Sequence, residues 1–422
     1  MWWLGPGFGA LIARSSRQRA FQGPVDNPGM RPAIAAAISE LPGSRIREVA
    51  NAGMGRPDVL AFWFGESDEP TPEAIRAAAH RSLADGETFY AHNLGLPELR
   101  AAVAASASAL HRPIDAERIA VTSSGVNALM LAMQALIGAG DEVVAVTPVW
   151  PNLTAQPAIL GATVVRHPIV FASGRWRLDV GALLARVTER TRVLLVNAPN
   201  NPTGWTLTRA EQETILDHCR RTGTWVLADE VYERMWFGDG PAAPSFLDLA
   251  DPDDRLVAVG SFSKSFLMTG WRLGWLVAPA SLVPALGKLI EFNTSCAPVF
   301  VQRAGLAALA GADRSVPELV ARIQACRDLL LPLLRDLGGI EVETPSGGLY
   351  AFFRVGDNGD GGGSHDSLAF AKRLVAEAGL GLAPGIAFGP EAEGWLRWCF
   401  ASKEPSRLER GVERLARHLG RG

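Results

Sequence analysis

Residues 256–278 read LVAVGSFSKSFLMTGWRLGWLVA, two short apolar runs, LVAVG (256–260) and WLVA (275–278), enclosing a polar loop that carries Lys264. Runs of four or five apolar residues bounded by small and polar ones have the length and composition of strands buried on both faces. Working outward, the same pattern recurs at EVVAV (142–146), TVVRH (163–167), VLLV (193–196) and WVLA (225–228). Segments of helical period fit between them. In TRAEQETILDHCRRTG (208–223), Thr208 reads as N-cap, Glu211 completes a capping box and Gly223 stops the helix. Strand and helix alternate in this way from about residue 73 to 300, which predicts an α/β fold with a largely parallel sheet covered by helices.

After about residue 310 the pattern changes. A long helix, VPELVARIQACRDLLLPLLRDLGG, is followed by short strands GIEVET and GLYAFFRV, a helix over 366–378, a strand LRWCFA and a last helix over 404–419. This predicts a second, smaller α+β domain. The loop GDNGDGGGSHDS (356–367) is read as flexible, and it lacks the ligands a calcium loop needs at its third and fifth positions. The start, MWWLGPGFGALIARSSRQRA, has no charged region before its apolar run and is too short to span a bilayer, so residues 1–30 are expected to be a disordered or irregular lead-in.

Composition narrows the function classes. The 422 residues carry 48% hydrophobic and 20% charged side chains and a formal net charge of −3, which offers no basic field to a nucleic acid and no polybasic anchor to a membrane. Cys219, Cys296, Cys326 and Cys399 are scattered, without disulfide or zinc spacing, so no metal is expected and a reducing, cytoplasmic setting fits best. Chemistry on small molecules becomes the default.

Lys264 is one of only four lysines among 41 basic residues. Arginine cannot give up its proton in a protein, whereas a lysine can be tuned to a neutral, nucleophilic amine. In an open α/β sheet, ligands lie outside the carboxyl ends of the strands. There the sequence delivers Asn201 in NAPNNPTG past VLLV, Asp229 and Tyr232 in DEVY past WVLA, and Lys264 past LVAVG. Upstream, AVTSSGVNALMLAMQAL (120–136) is a small-residue turn opening a helix, where the amides of Ser124, Gly125 and Val126 can hold a phosphate; Arg272, eight residues past Lys264, can add a charged contact.

These residues resemble the class I/II aminotransferases, the fold type I pyridoxal 5′-phosphate (PLP) enzymes. SFSKSFLMTGWRLG (261–274) is similar to that family's cofactor-attachment signature, and FGESDEPTP (64–72), YAHNLGLPELR (90–100), TPVWPN (147–152), NNPTG (200–204), ADEVY (228–232), GGLYAFF (347–353), APGIAFG (383–389) and LRWCFA (396–401) follow in the family's order. The resemblance implies a mostly parallel seven-stranded sheet and a division into an N-terminal arm and part of the small domain (31–66), a large PLP-binding domain (67–310) and a small C-terminal domain (311–422). It also implies roles. Lys264 would form the Schiff base and shuttle the proton, and Asp229 would keep the pyridine nitrogen protonated. Tyr232 and Asn201 would hydrogen-bond the ring oxygen, and Trp150 would stack on the ring. Ser124, Gly125, Val126, Ser261 and Arg272 would hold the phosphate, with Tyr90 reaching in from a neighbouring subunit, so that a homodimer with shared active sites is expected. Arg397 would fork onto the substrate α-carboxylate, with Asn201 beside it and Gly65 allowing close approach.

The sequence departs from the family at the substrate side. Val126 stands where some bacterial aspartate aminotransferases carry a lysine that reads a distal carboxylate, and GESDE replaces GEPDF through Ser67 and Glu69. An apolar or aromatic donor is therefore expected rather than aspartate, with a 2-oxo acid as acceptor. The cofactor motifs are shared with β-lyases and cyclopropane-forming synthases of the same fold, which stand as the alternative. Regulators that use this fold carry a helix-turn-helix in front, for which the residues before FWFGES are too few and too irregular.

Overall fold

The computed structural model describes residues 34–356 and 363–421. The lead-in expected over 1–30 and most of the glycine-rich stretch of the 356–367 loop lie outside the described residues. Residues 34–41 belong to a separate compact unit and hold one helical turn, Ala36–Ser39; everything below concerns the unit that begins at Pro42.

Seven strands form the central sheet: β1 (Ile119–Thr122), β2 (Glu142–Thr147), β3 (Thr163–Pro168), β4 (Thr191–Asn197), β5 (Trp225–Asp229), β6 (Leu256–Ser261) and β7 (Gly274–Val277). Their order across the sheet is β1-β7-β6-β5-β4-β2-β3, and only β7 runs antiparallel to its neighbours. Side chains alternate between two cores, as a two-residue period requires. Val143, Ala145, Leu195, Leu227 and Val257 pack on one face, and Val144, Val146, Leu194, Val196, Val226 and Ala228 on the other. Both faces being buried explains the continuous apolar runs in the sequence. The helix Arg209–Thr222 has the expected capping box from Thr208 and Glu211 and ends on Gly223 at φ 71°.

Strand β1 was not among the runs singled out from the sequence. IAVT is only four residues long and leads directly into SSG, so its strand character comes from being paired along β7 rather than from its own pattern. A second, antiparallel sheet has the order β8-β9-β11-β10, from β8 (Ile340–Val342), β9 (Tyr350–Val355), β10 (Ala383–Pro384) and β11 (Trp395–Cys399). Leu60–Ala61 pairs in parallel with Leu380–Gly381, and Phe62 O accepts from Cys399 N, which lays the segment leading to Gly65 along β11. Among the described residues no helix is long and apolar enough to cross a membrane.

A partly buried ion cluster fixes the turn after β5. His111, at the end of the helix Pro97–Leu110, places Nδ1 2.9 Å from Asp248 Oδ1 and Nε2 3.1 Å from Glu233 Oε2. Burial alone would pull the imidazolium down, but the hydrogen bonds to Asp248 and Glu233, helped by the charges of Glu233 and Glu230, raise it to about 10. Since the folded-state value lies above the ordinary 6.5, the stability His111 contributes is full below about pH 6.5 and is lost as pH rises toward 10. We expect wild type to lose on the order of 2 kcal/mol across that window relative to His111→Gln, read as unfolding midpoints against pH.

Candidate active site

The rim of the sheet is set by register. Gly274 of β7 pairs with Ser261 at the end of β6 on one side and with Thr122 at the end of β1 on the other. Two residues past Thr122, Ser124 caps the helix Gly125–Leu136, its Oγ accepting from Asn127 N at 3.1 Å. A Cβ on Gly274 would lie 2.5 Å from Gly125 N, and one on Gly125 would lie 3.1 Å from Ser261 Cβ. Small residues at both places let the helix start press against Ser261. The first amides of a helix have no acceptor within it and sit at the positive end of its dipole, so Gly125 and Val126 beside the Ser261 hydroxyl form an anion cradle. Arg272 lies on the loop between β6 and β7, its guanidinium donating to Thr269 O at 2.6 Å. Trp150 is half-buried past the end of β2.

Because β7 is antiparallel to β6, the chain needs no helical crossover between them, and the loop that joins them stays at the rim. Its first turn, Phe262–Ser265, is capped by Ser261 and carries Lys264. Lys264 Nζ donates to Gly65 O at 2.6 Å and lies 5.6 Å from the centre of the Tyr232 ring. Burial, with the nearby charges of Arg397 and Arg272, brings its ammonium down to about 8, against the opposing pull of Cys399 and Glu66. An amine so near neutrality can act as a nucleophile and move protons.

Asp229, the last residue of β5, is 2% exposed. Burial pushes its carboxyl up to about 7, while the bond from Val231 N and the charge of Lys264 pull it back. That bond is long, 3.4 Å, so the carboxylate retains the capacity to take a strong cationic donor. Tyr232 is buried three residues on, and burial holds its phenol well above 10, so it remains a hydroxyl donor.

Arg397, in the middle of β11, is 2% exposed. It donates to Asn201 Oδ1 at 2.8 Å and to Trp63 O at 2.5 Å, and its guanidinium carbon lies 4.4 Å from the Tyr350 ring centre and 4.9 Å from that of Phe388. Its Nε is buried with no acceptor. A buried arginine with an unused donor, held between two ring faces, is suited to a small carboxylate. Asn201 is itself fixed by Asn197, whose Oδ1 accepts from Asn201 N at 2.8 Å. Gly65 admits no side chain, since a Cβ there would lie 1.9 Å from the Tyr350 hydroxyl.

The structure thus brings Ser124, Gly125 and Ser261 into one cradle, and Lys264, Tyr232, Arg397, Asn201 and Gly65 into a second group linked through direct contacts. It does not bring Tyr90 to either; that side chain is 89% exposed. Tyr350 and Gly274 lie inside quoted motifs but were not singled out. The chain has three tyrosines, and their scarcity is the same kind of signal that marked Lys264.

These groups fit PLP. The cradle suits its phosphate, the under-bonded Asp229 suits a protonated ring nitrogen, and Lys264 suits its aldehyde. Comparison with known proteins agrees. Residues 58–415 match the family described as Aminotransferase class I and II. The chain is 32% identical to an aspartate aminotransferase of Pyrococcus horikoshii over 89% of its own length and 95% of the relative's. It is also 32% identical to aromatic-amino-acid aminotransferase 2 of Thermococcus litoralis, over 89% and 95%. A solved single mutant of Thermus thermophilus aspartate aminotransferase superposes with a TM-score of 0.84 at 30% identity, covering 92% of this chain and all of that one. The chain belongs to the class I and II aminotransferases.

Proposed function

We propose that this enzyme moves the amino group of an L-amino acid to a 2-oxo acid in two half-reactions, a ping-pong sequence centred on Lys264, and that the donor's side chain is apolar or aromatic rather than that of aspartate. The family is PLP-dependent, and PLP supplies an electron sink for the charge left when the substrate Cα loses its proton. Lys264, held by Gly65 O, would carry that proton. Asp229 would keep a proton at the ring nitrogen, and Tyr232, with Asn201, would donate to the ring oxygen. Trp150 would cover the ring. Ser124, Ser261, the amides of Gly125 and Val126, and Arg272 would hold the phosphate, while Arg397 would orient the α-carboxylate with its unused Nε. The observation that carries this is a lysine tuned to about 8 beside Gly65, whose other neighbour Tyr350 lies under Arg397.

The donor preference rests on the lining of a small open pocket that borders Lys264. Its walls include Leu267, Ile323 and Leu349 together with Glu66 and Glu69. Glu69 already pairs with Arg322 at 3.0 Å, and Glu66 accepts from the Thr269 hydroxyl at 2.8 Å. A distal carboxylate would meet the Glu66 carboxylate there, Glu69 being already paired, and Val126 offers no compensating cation. We further propose a cytoplasmic homodimer, in which the exposed Tyr90 is free to reach a second copy's phosphate cradle.

The test is to load the protein with PLP and add single amino acids without any 2-oxo acid. Conversion of the visible band, expected at roughly 360–430 nm, to a stable form at shorter wavelength names the donor, with aromatic or aliphatic amino acids outpacing aspartate. Persistence of the band while pyruvate and ammonia accumulate would make the enzyme a lyase.

A further inference from the structure

We infer that Tyr350 is a positioning residue that ties recognition of the substrate carboxylate to the hydroxyl facing the cofactor ring; this rests on the assignment of the site proposed above. Tyr350 opens β9, is 1% exposed, and pairs in register with Cys399, two residues along β11 from Arg397. Three parts of the site meet on this one phenol. Its hydroxyl is 2.6 Å from that of Tyr232, and the two rings stand edge to face with centres 5.7 Å apart. Its ring face lies 4.4 Å from the guanidinium carbon of Arg397. Its hydroxyl also occupies the space where residue 65 lacks a side chain.

The direction of the hydroxyl pair follows from proton counting. If Tyr232 donates its only proton to the ring oxygen, Tyr350 must be the donor between the two phenols. Donation from Tyr350 polarises the Tyr232 hydroxyl and makes it a stronger donor in turn. The ring does a separate job. It presents a π face to a cation whose guanidinium is already fixed by Asn201 and Trp63, so the arginine fork is held at a set height and angle. A phenylalanine would keep the face and lose the hydroxyl, and a leucine would lose both.

The experiment compares holoenzymes of wild type, Tyr350→Phe and Tyr350→Leu. In Tyr350→Phe the pH midpoint of the PLP absorbance band should rise by about half a unit or more, because a weaker donor at the ring oxygen disfavours the band's unprotonated form. Its KM for the amino acid should stay within about 2-fold of wild type, since the face under Arg397 remains. Tyr350→Leu should show the same midpoint shift and a KM raised roughly 3- to 30-fold. A structural role alone would move unfolding midpoints and leave the absorbance midpoint in place. An unshifted Tyr350→Phe band beside a normal wild-type titration overturns the inference and spares the site; should Tyr350→Leu fail to fold, this comparison alone decides. A Lys264→Ala protein that still traps PLP covalently on borohydride reduction overturns the site assignment and the inference with it.

Discussion

Lys264→Ala protein should lose both the covalent, borohydride-reducible link to PLP and turnover, the latter by at least about 10⁴-fold, when borohydride trapping and steady-state rate are measured beside wild type. The expected loss is chemical rather than structural. Lys264 makes one hydrogen bond, to Gly65 O, and sits in a four-residue helical turn that alanine suits at least as well. Phe262, Ser263 and Ser265 around it stay buried by their own contacts. The unfolding midpoint of the cofactor-free protein should therefore change little. Lys264→Arg should not rescue either property, because a guanidinium stays protonated where burial and Arg397 bring an ammonium to about 8. Turnover retained by the alanine variant would remove the central assignment, since no other described lysine shares this loop.

Much of this site was legible before the fold was known, for a physical reason. Groups at strand ends appear in the sequence directly after apolar runs, so Asn201, Asp229, Tyr232 and Lys264 could be placed on one rim by the sheet rule alone. What escaped were features made by two distant segments meeting. Strand β1 is too short to announce itself and is defined by β7. Gly274 is required because the backbone of a distant segment, Gly125 N above all, approaches within 2.5 Å of where its Cβ would stand. The bond between Tyr232 and Tyr350 joins residues 118 apart in sequence, and His111 meets Asp248 across 137. No local period records such pairs. Tyr90 shows the opposite case: its motif is plain in the sequence, while within one chain its ring touches nothing of the site.

Asp229→Asn should separate the needs of folding from those of chemistry. In wild type, burial holds the carboxyl up near 7 in the folded chain against 3.8 ordinarily. A folded-state value above the unfolded one means that the native state binds the proton more tightly. The stability this confers is full below about pH 3.8 and is lost as pH rises to 7. Asparagine has no proton to lose and keeps an oxygen for Val231 N. At pH 8, without PLP, the variant should therefore be more stable than wild type by on the order of 2 kcal/mol, and the difference should vanish below about pH 4. Glu230, also raised to about 7 by burial, is present in both proteins and cancels. With PLP the order should reverse, because the wild-type carboxylate gains a protonated ring nitrogen as partner and the amide does not. Turnover should fall by at least about 10²-fold, as when a preorganised charge is removed from a buried site. Unfolding midpoints with and without PLP at pH 8 are the deciding measurement. A variant less stable than wild type in the absence of PLP would show that Asp229 is already satisfied by its own chain, and the ring-nitrogen role would lose its basis.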